Sequence, residues 1–150
     1  MRYVTVDPGL SGTGWAAWTE HWELIGHGVI RPPRKCPNRN VCLSKLLYKF
    51  VKKYGPNKFW IEYPKKFDSA KGDMVAARGD LVKLAALVGH FEAYLVSKKM
   101  KVEMLDVNIW KGQMPKEAVM HRIKRILPGI KPVSHDWDAI GMGLHLRGDF

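Results

Sequence analysis

The chain opens with apolar and polar residues in alternation. Tyr3-Val4-Thr5-Val6-Asp7 has the period of two expected of a half-buried strand. Asp7 stands at its end, and Pro8 with Gly9, Gly12 and Gly14 turns the chain back into a second apolar run, Trp15 to Trp18. Trp22 to Ile30 reads as a third strand, so the first thirty residues predict an antiparallel meander. A polar loop from Arg31 to Asn40 follows, and then the period changes. Leu43, Leu46, Leu47, Phe50 and Val51 line one face of a helix predicted over 41–53, with lysines opposite, and Gly55-Pro56 stops it. Lys58 to Tyr63 is a short apolar strand that also finishes at an acid, Glu62. Beyond it the pattern predicts a long helix over 73–97, a fifth strand over 101–106, and helices over 115–127 and 134–146. No linker, repeat or low-complexity stretch interrupts the series. One mixed α/β domain over residues 1–150 is expected, with a five-stranded mixed sheet flanked by helices.

Charge points to the partner. Lys and Arg number 25 against 14 Asp and Glu, a formal net charge of +11. Such an excess favours a polyanion, with nucleic acid ahead of an acidic membrane surface. No apolar run approaches the ~20 residues that cross a bilayer, and the first strand begins where a signal peptide would lie. Cys36 and Cys42 match no common zinc spacing and read as free thiols in a reducing cytoplasm, with a local disulfide or metal clip as the alternative.

The acids supply the candidate chemistry. Asp7 ends the first strand and Glu62 the fourth, while Asp138 lies early in the last helix with His135 three residues before it, on the same face. If the first and fourth strands are parallel neighbours, their carboxyl ends share an edge. The last helix, docked across that edge, would gather four side chains of the type that Mg²⁺ and Mn²⁺ prefer. Each acid alone also has a plain reading: Asp7 as the start of a turn, Glu62 as the end of an edge strand, Asp138 as a solvated helix residue. Asp136 reads as a first-turn acid favoured by the helix dipole, with Ser134 as N-cap.

Asp7-Pro8-Gly9 with Thr13-Gly14, the strand Trp60-Ile61-Glu62, and His135-Asp136-Trp137-Asp138-Ala139 resemble the three active-site segments of RuvC-type Holliday junction resolvases, nucleases of the RNase H-like superfamily. Ala77-Arg78-Gly79 and the segment around Lys116 extend the similarity in matching order. Many members of that family carry Asp where this chain has His135; the spacing selects His135 over Asp136. The resemblance implies an RNase H-like fold and metal-dependent cutting of four-way junctions to 5′-phosphate and 3′-hydroxyl ends. It implies two Mg²⁺ per site, replaceable by Mn²⁺, held by Asp7, Glu62, Asp138 and His135, with His135 alternatively a general base. No small-molecule cofactor is implied, and the setting would be the cytoplasm of a bacterium or a phage-infected host.

DNA contacts are expected from Lys65, Lys66 and Lys71 around the loop after Glu62, from Arg78, and from Lys111 and Lys116. Phe67 either stacks on bases at the opened junction or folds back over the sheet edge. A junction with near two-fold symmetry suits a homodimer. Val82, Ala86, Gly89 and Ala93 form a second apolar stripe on the long helix, covered either by a second copy or by the last helix. His21, His90, His121 and His145 read as ordinary helix or surface residues. Three other functions fit parts of the pattern: a related nuclease of flaps, nicked branches or RNA–DNA hybrids, a non-catalytic nucleic-acid binder, and an actin-like phosphotransfer domain.

Overall fold

β1 (Tyr3–Asp7), β2 (Thr13–Trp18) and β3 (Leu24–Ile30) form the expected meander in the computed structural model, which describes residues 1–65, 79–132 and 135–150. β4 (Lys58–Tyr63) lies parallel to β1, and β5 (Lys101–Asp106) parallel to β4. The sheet order is β3-β2-β1-β4-β5, so β1 is central. The carboxyl ends of β1, β4 and β5 therefore share one edge with the start of β2 and the end of β3.

Alternation sorts the side chains between two layers. Val4, Val6, Trp15, Ala17, Phe59 and Ile61 pack beneath α1 (Arg39–Val51) and α2 (Asp80–Ser97). Tyr3, Thr5, Ala16, Trp18 and Trp60 face the other way, towards α5 (Asp136–Arg147). α4 (Lys116–Ile126) packs on α5, and a short helix, α3 (Val107–Trp110), follows β5 directly. Phe59, Phe91 and Trp18 are wholly buried; burial of side chains this large contributes about 1.5–3 kcal/mol each. Truncating Phe91 to Ala would cost about 3–5 kcal/mol, since a cavity adds to the lost transfer energy.

Local signals explain most boundaries. The Asn38 side chain accepts from the Val41 N–H at 3.2 Å, so α1 starts at Arg39, two residues earlier than its apolar face suggests. Its last turn tightens into a 3-10 segment, Lys52–Tyr54, closed by Gly55 at φ 63°. α3 is absent from the sequence reading. Four residues are too few for a helical period, and the Asp106 side chain starts it by accepting from the Asn108 N–H at 2.8 Å. The start expected for the long helix near residue 73 lies outside the described residues, as does Ser134.

Two expectations are corrected. Cys36 and Cys42 are joined by a disulfide rather than free. The early start of α1 puts Cys42 in its first turn, which brings the two Cα atoms to 6.5 Å, within bridging range. His90 has a partner: its Nδ1 lies 2.8 Å from Ser44 Oγ and ties α2 to α1. No described helix is long and apolar enough to cross a membrane.

Candidate active site

Register brings the acids together. Val6 pairs with Ile61 across the parallel β1–β4 ladder, so Asp7 and Glu62 stand side by side one position further on. Both follow the parity of Thr5 and Trp60, which places them on the α5 face of the sheet. α5 crosses that face with its first turn above the edge. Its height is fixed in part by the Thr5 hydroxyl, which donates to the Ala139 carbonyl at 2.6 Å and accepts from the Trp18 indole N–H at 2.9 Å. Gly14 admits the start of the helix, because a Cβ there would collide with the His135 carbonyl. Gly143 does the same further along, over the Trp18 ring.

The resulting carboxylates are poorly neutralised by the protein. Asp7 is 7 % exposed, and burial pushes its carboxyl up to about 6; the His135 contact pulls the other way, and the charge of Asp138 adds to the rise. Burial, followed by the charges of Asp7 and Asp138, pushes Glu62 up to about 8. The Trp110 indole donates to Glu62 Oε2 at 2.9 Å and offsets part of this. Lys111 donates to Asp138 Oδ2 at 2.9 Å, whereas Asp138 Oδ1 is buried with no hydrogen-bond partner among the described residues. His135 Nδ1 lies 3.8 Å from Asp7 Oδ2, a contact that raises the imidazole's affinity for a proton.

Asp7, Glu62, His135 and Asp138 thus lie along one edge, close enough that Asp7 is influenced by Asp138 and His135, and Glu62 by Asp7 and Asp138. Among the described residues no three His, Cys, Asp or Glu side chains are grouped tightly enough to hold a metal ion. The donor set itself fits a hard divalent cation: three oxygen acids that repel one another, two of them raised by burial, and an orphaned carboxylate oxygen.

The other expected site residues divide. Lys111 sits in the site, on Asp138. Lys116, exposed at the start of α4, is near enough for its charge to act on His135. Lys65 is engaged by Asp106 at 3.0 Å, on the sheet face opposite Glu62. Lys66, Phe67, Lys71 and Arg78 lie outside the described residues.

Asp136 lies in the first turn of α5, as expected of an acid favoured by the helix dipole. It is wholly buried, and His27 Nδ1 of β3 lies 2.8 Å from its Oδ2. A histidine on the inward face of β3, in register with Ala16, is the signal that pairs them. Trp110, the donor to Glu62, was equally unforeseen, because it lies on the helix too short to predict.

Comparison with known proteins agrees with this geometry. No protein-family model matches the chain. It is 28% identical over 136 residues to the crossover junction endodeoxyribonuclease RuvC of Gluconacetobacter diazotrophicus, covering 86% of this chain and 79% of that one. It is 25% identical over 147 residues to the RuvC of Rickettsia felis, covering 93% and 91%. Among solved structures, Thermus thermophilus RuvC in complex with a Holliday junction substrate superposes with a TM-score of 0.68 at 16% identity, over 96% of this chain and 90% of that one. The Fowlpox virus Holliday junction resolvase superposes at 0.59 with 13% identity over the whole of both chains. The resemblance to RuvC-type resolvases therefore holds along nearly the whole chain, and the fold is RNase H-like.

Proposed function

We propose that residues 1–150 form one nuclease domain that resolves four-way DNA junctions by metal-dependent hydrolysis, leaving 5′-phosphate and 3′-hydroxyl ends. The observation that carries this reading is the meeting of Asp7, Glu62 and Asp138 on one sheet edge of a strongly basic protein, with too little cation of its own to neutralise them.

Asp7, central on the edge, would bridge two Mg²⁺; Glu62 would complete one site, and Asp138 with His135 the other, with Mn²⁺ able to replace Mg²⁺. Such ions, when bound, supply an activated water and a counter-charge for the leaving 3′ oxygen. Asp7 faces the imidazole of His135 at Nδ1; as the alternative to holding a metal, His135 would accept the proton of the attacking water. Trp110 fixes the rotamer of Glu62. Lys111 screens Asp138 before loading and is released towards a substrate phosphate afterwards. Lys116, Lys65, Lys66, Lys71 and Arg78 provide further phosphate contacts, and Phe67 a base-stacking one.

A homodimer is the assembly we assign. The outward face of α2 carries Val82 at 72 % exposure and Val96 at 55 %, with Ala86, Gly89 and Ala93 exposed between them. α5 lies on the opposite side of the sheet and leaves this stripe to a second copy. Two sites related by a two-fold axis match two opposed cuts. The bacterial or phage-infected cytoplasm is the corresponding setting.

An immobile four-way junction, incubated with and without Mg²⁺ and mapped on all four strands, tests the proposal. Paired, symmetric nicks that need the metal, and that vanish in Asp7→Asn while junction binding persists, are expected. Cleavage by Asp7→Asn at the parent rate would defeat it.

A further inference from the structure

From Leu24 to Ile61 the chain contains no acid and nine Lys and Arg residues. Four of the nine, Arg31, Arg34, Lys35 and Arg39, fall within nine residues at the exit of β3 and the start of α1, and all four are exposed. None of the four has an acidic partner among the described residues. A solvated basic face is the plain explanation of such a run. Its position argues for more.

Asp7 pairs with Gly14, and Gly14 with Val29, so one row of the sheet runs from the candidate site to the end of β3. Arg31 leaves the sheet two residues beyond that row, on the same edge. β3 is two strands from β1, roughly 10 Å away, a span of about three phosphates along one strand of a duplex. Arg31 is tied to the rim of the site: Nη1 donates to the Ser11 carbonyl at 3.3 Å. Its charge acts on His135, as that of Lys116 does.

The rest of the segment is fixed at both ends. Pro32 and Pro33 restrict the backbone after Arg31. The Asn38 cap and the Cys36–Cys42 bridge anchor the far end to α1. Cations held in place this way lose little entropy when they meet a ligand. Lys65, Lys111 and Lys116 belong to the other side of the site, after β4 and β5.

We infer that the Arg31–Arg39 segment is a second DNA-binding arm, which grips the phosphate backbone of a duplex arm of the substrate as it leaves the site on the β3 side. The inference rests on the proposed nuclease function and deepens it by naming where an arm of the junction lies.

The test uses the full chain carrying Asp7→Asn, so that binding is read without cleavage. Fluorescence anisotropy with a long-armed four-way junction is followed over a salt series. Replacing Arg34, Lys35 and Arg39 together by Ala should weaken binding tenfold or more. It should also flatten the log–log salt slope by about 2–3, at about 0.9 per phosphate contact. Replacing Lys98, Lys99 and Lys101 by Ala removes the same charge at the opposite sheet edge and should change the slope by less than about 1. Arg34→Lys with Arg39→Lys keeps the charges and should keep the slope. Trimming the junction arms to a few base pairs should erase the difference between parent and triple variant.

Equal slopes in parent and arm variant, equal losses in the two triple variants, or a charge-retaining variant as weak as the Ala triple would each overturn the arm. If the chain with Asp7 intact cuts junctions while the arm variants bind like their parent, only the arm fails. If it binds junctions no better than linear duplex and cuts neither, the nuclease reading fails first.

Discussion

The first turn of α5 carries two acids two residues apart, and the protein treats them differently. Asp136 faces β3, is sealed from solvent, and meets a histidine supplied by the fold. Asp138 faces β1 and β4, shares Lys111 through one oxygen, and leaves the other oxygen buried with no donor among the described residues. Around Asp138 lie Asp7 and Glu62, whose carboxyl groups are raised first by burial, and then by the charge of Asp138 and, for Glu62, of Asp7 as well. A buried acid with an internal partner is structural. Acids crowded together with insufficient counter-charge are the mark of a candidate functional site.

Substitutions can separate the two regions. The largest effect is expected for Glu62→Gln: cleavage of a four-way junction should fall by about 10³-fold, as when a group serving the charged transition state is removed, while the fold persists. Asp138→Asn should behave alike. On the other flank, His27→Ala strips the imidazole from a wholly buried carboxylate and should cost about 3 kcal/mol by urea melts. The nicking rate per folded molecule should change far less. If His27→Ala abolishes cleavage without loss of stability, the distinction between the flanks is wrong.

A smaller effect concerns pH. Asp7 and Glu62 bind protons more tightly in the folded chain, near 6 and 8, than at their ordinary values of 3.8 and 4.5. Their contribution to stability is thus full below about pH 4 and is lost as pH rises through 6 and then 8. Thermal melts in EDTA should show the protein weakening steadily between pH 5 and pH 8.5. Glu62→Gln should remove much of that slope and raise the melting temperature at the upper end. Adding Mg²⁺ to the parent should restore stability at high pH, because the ion favours the deprotonated acids. The smallest predicted change follows reduction of Cys36–Cys42, a short loop whose closure contributes at most about 2 kcal/mol; dithiothreitol should lower the melting temperature by a few degrees.

The sequence made the parts of this site legible where local periodicity decides structure. Alternation in Tyr3–Asp7 and the short apolar run Lys58–Tyr63 predict both strands with the bounds observed, and parity then puts Asp7 and Glu62 on one face. Asp138 followed because α5 has only one sheet face to dock against. Contacts that depend on tertiary approach were not legible. His27 and Asp136 are 109 residues apart, and Trp110 and Glu62 are 48 apart; neither pair follows a spacing rule. The cysteine bridge escaped because six residues of separation say nothing until the helix start is known, and that start depended on one asparagine cap.

Gly14 and Gly143 let α5 lie flush on β2, so the missing methyl groups set how far Asp138 stands from the sheet acids. A single alanine at Gly14 would act as a shim beneath the helix, tilting one carboxylate away from its companions while the hydrophobic layers stayed assembled. The spacing between Asp138 and the sheet acids is therefore guarded by a residue with no side chain of its own.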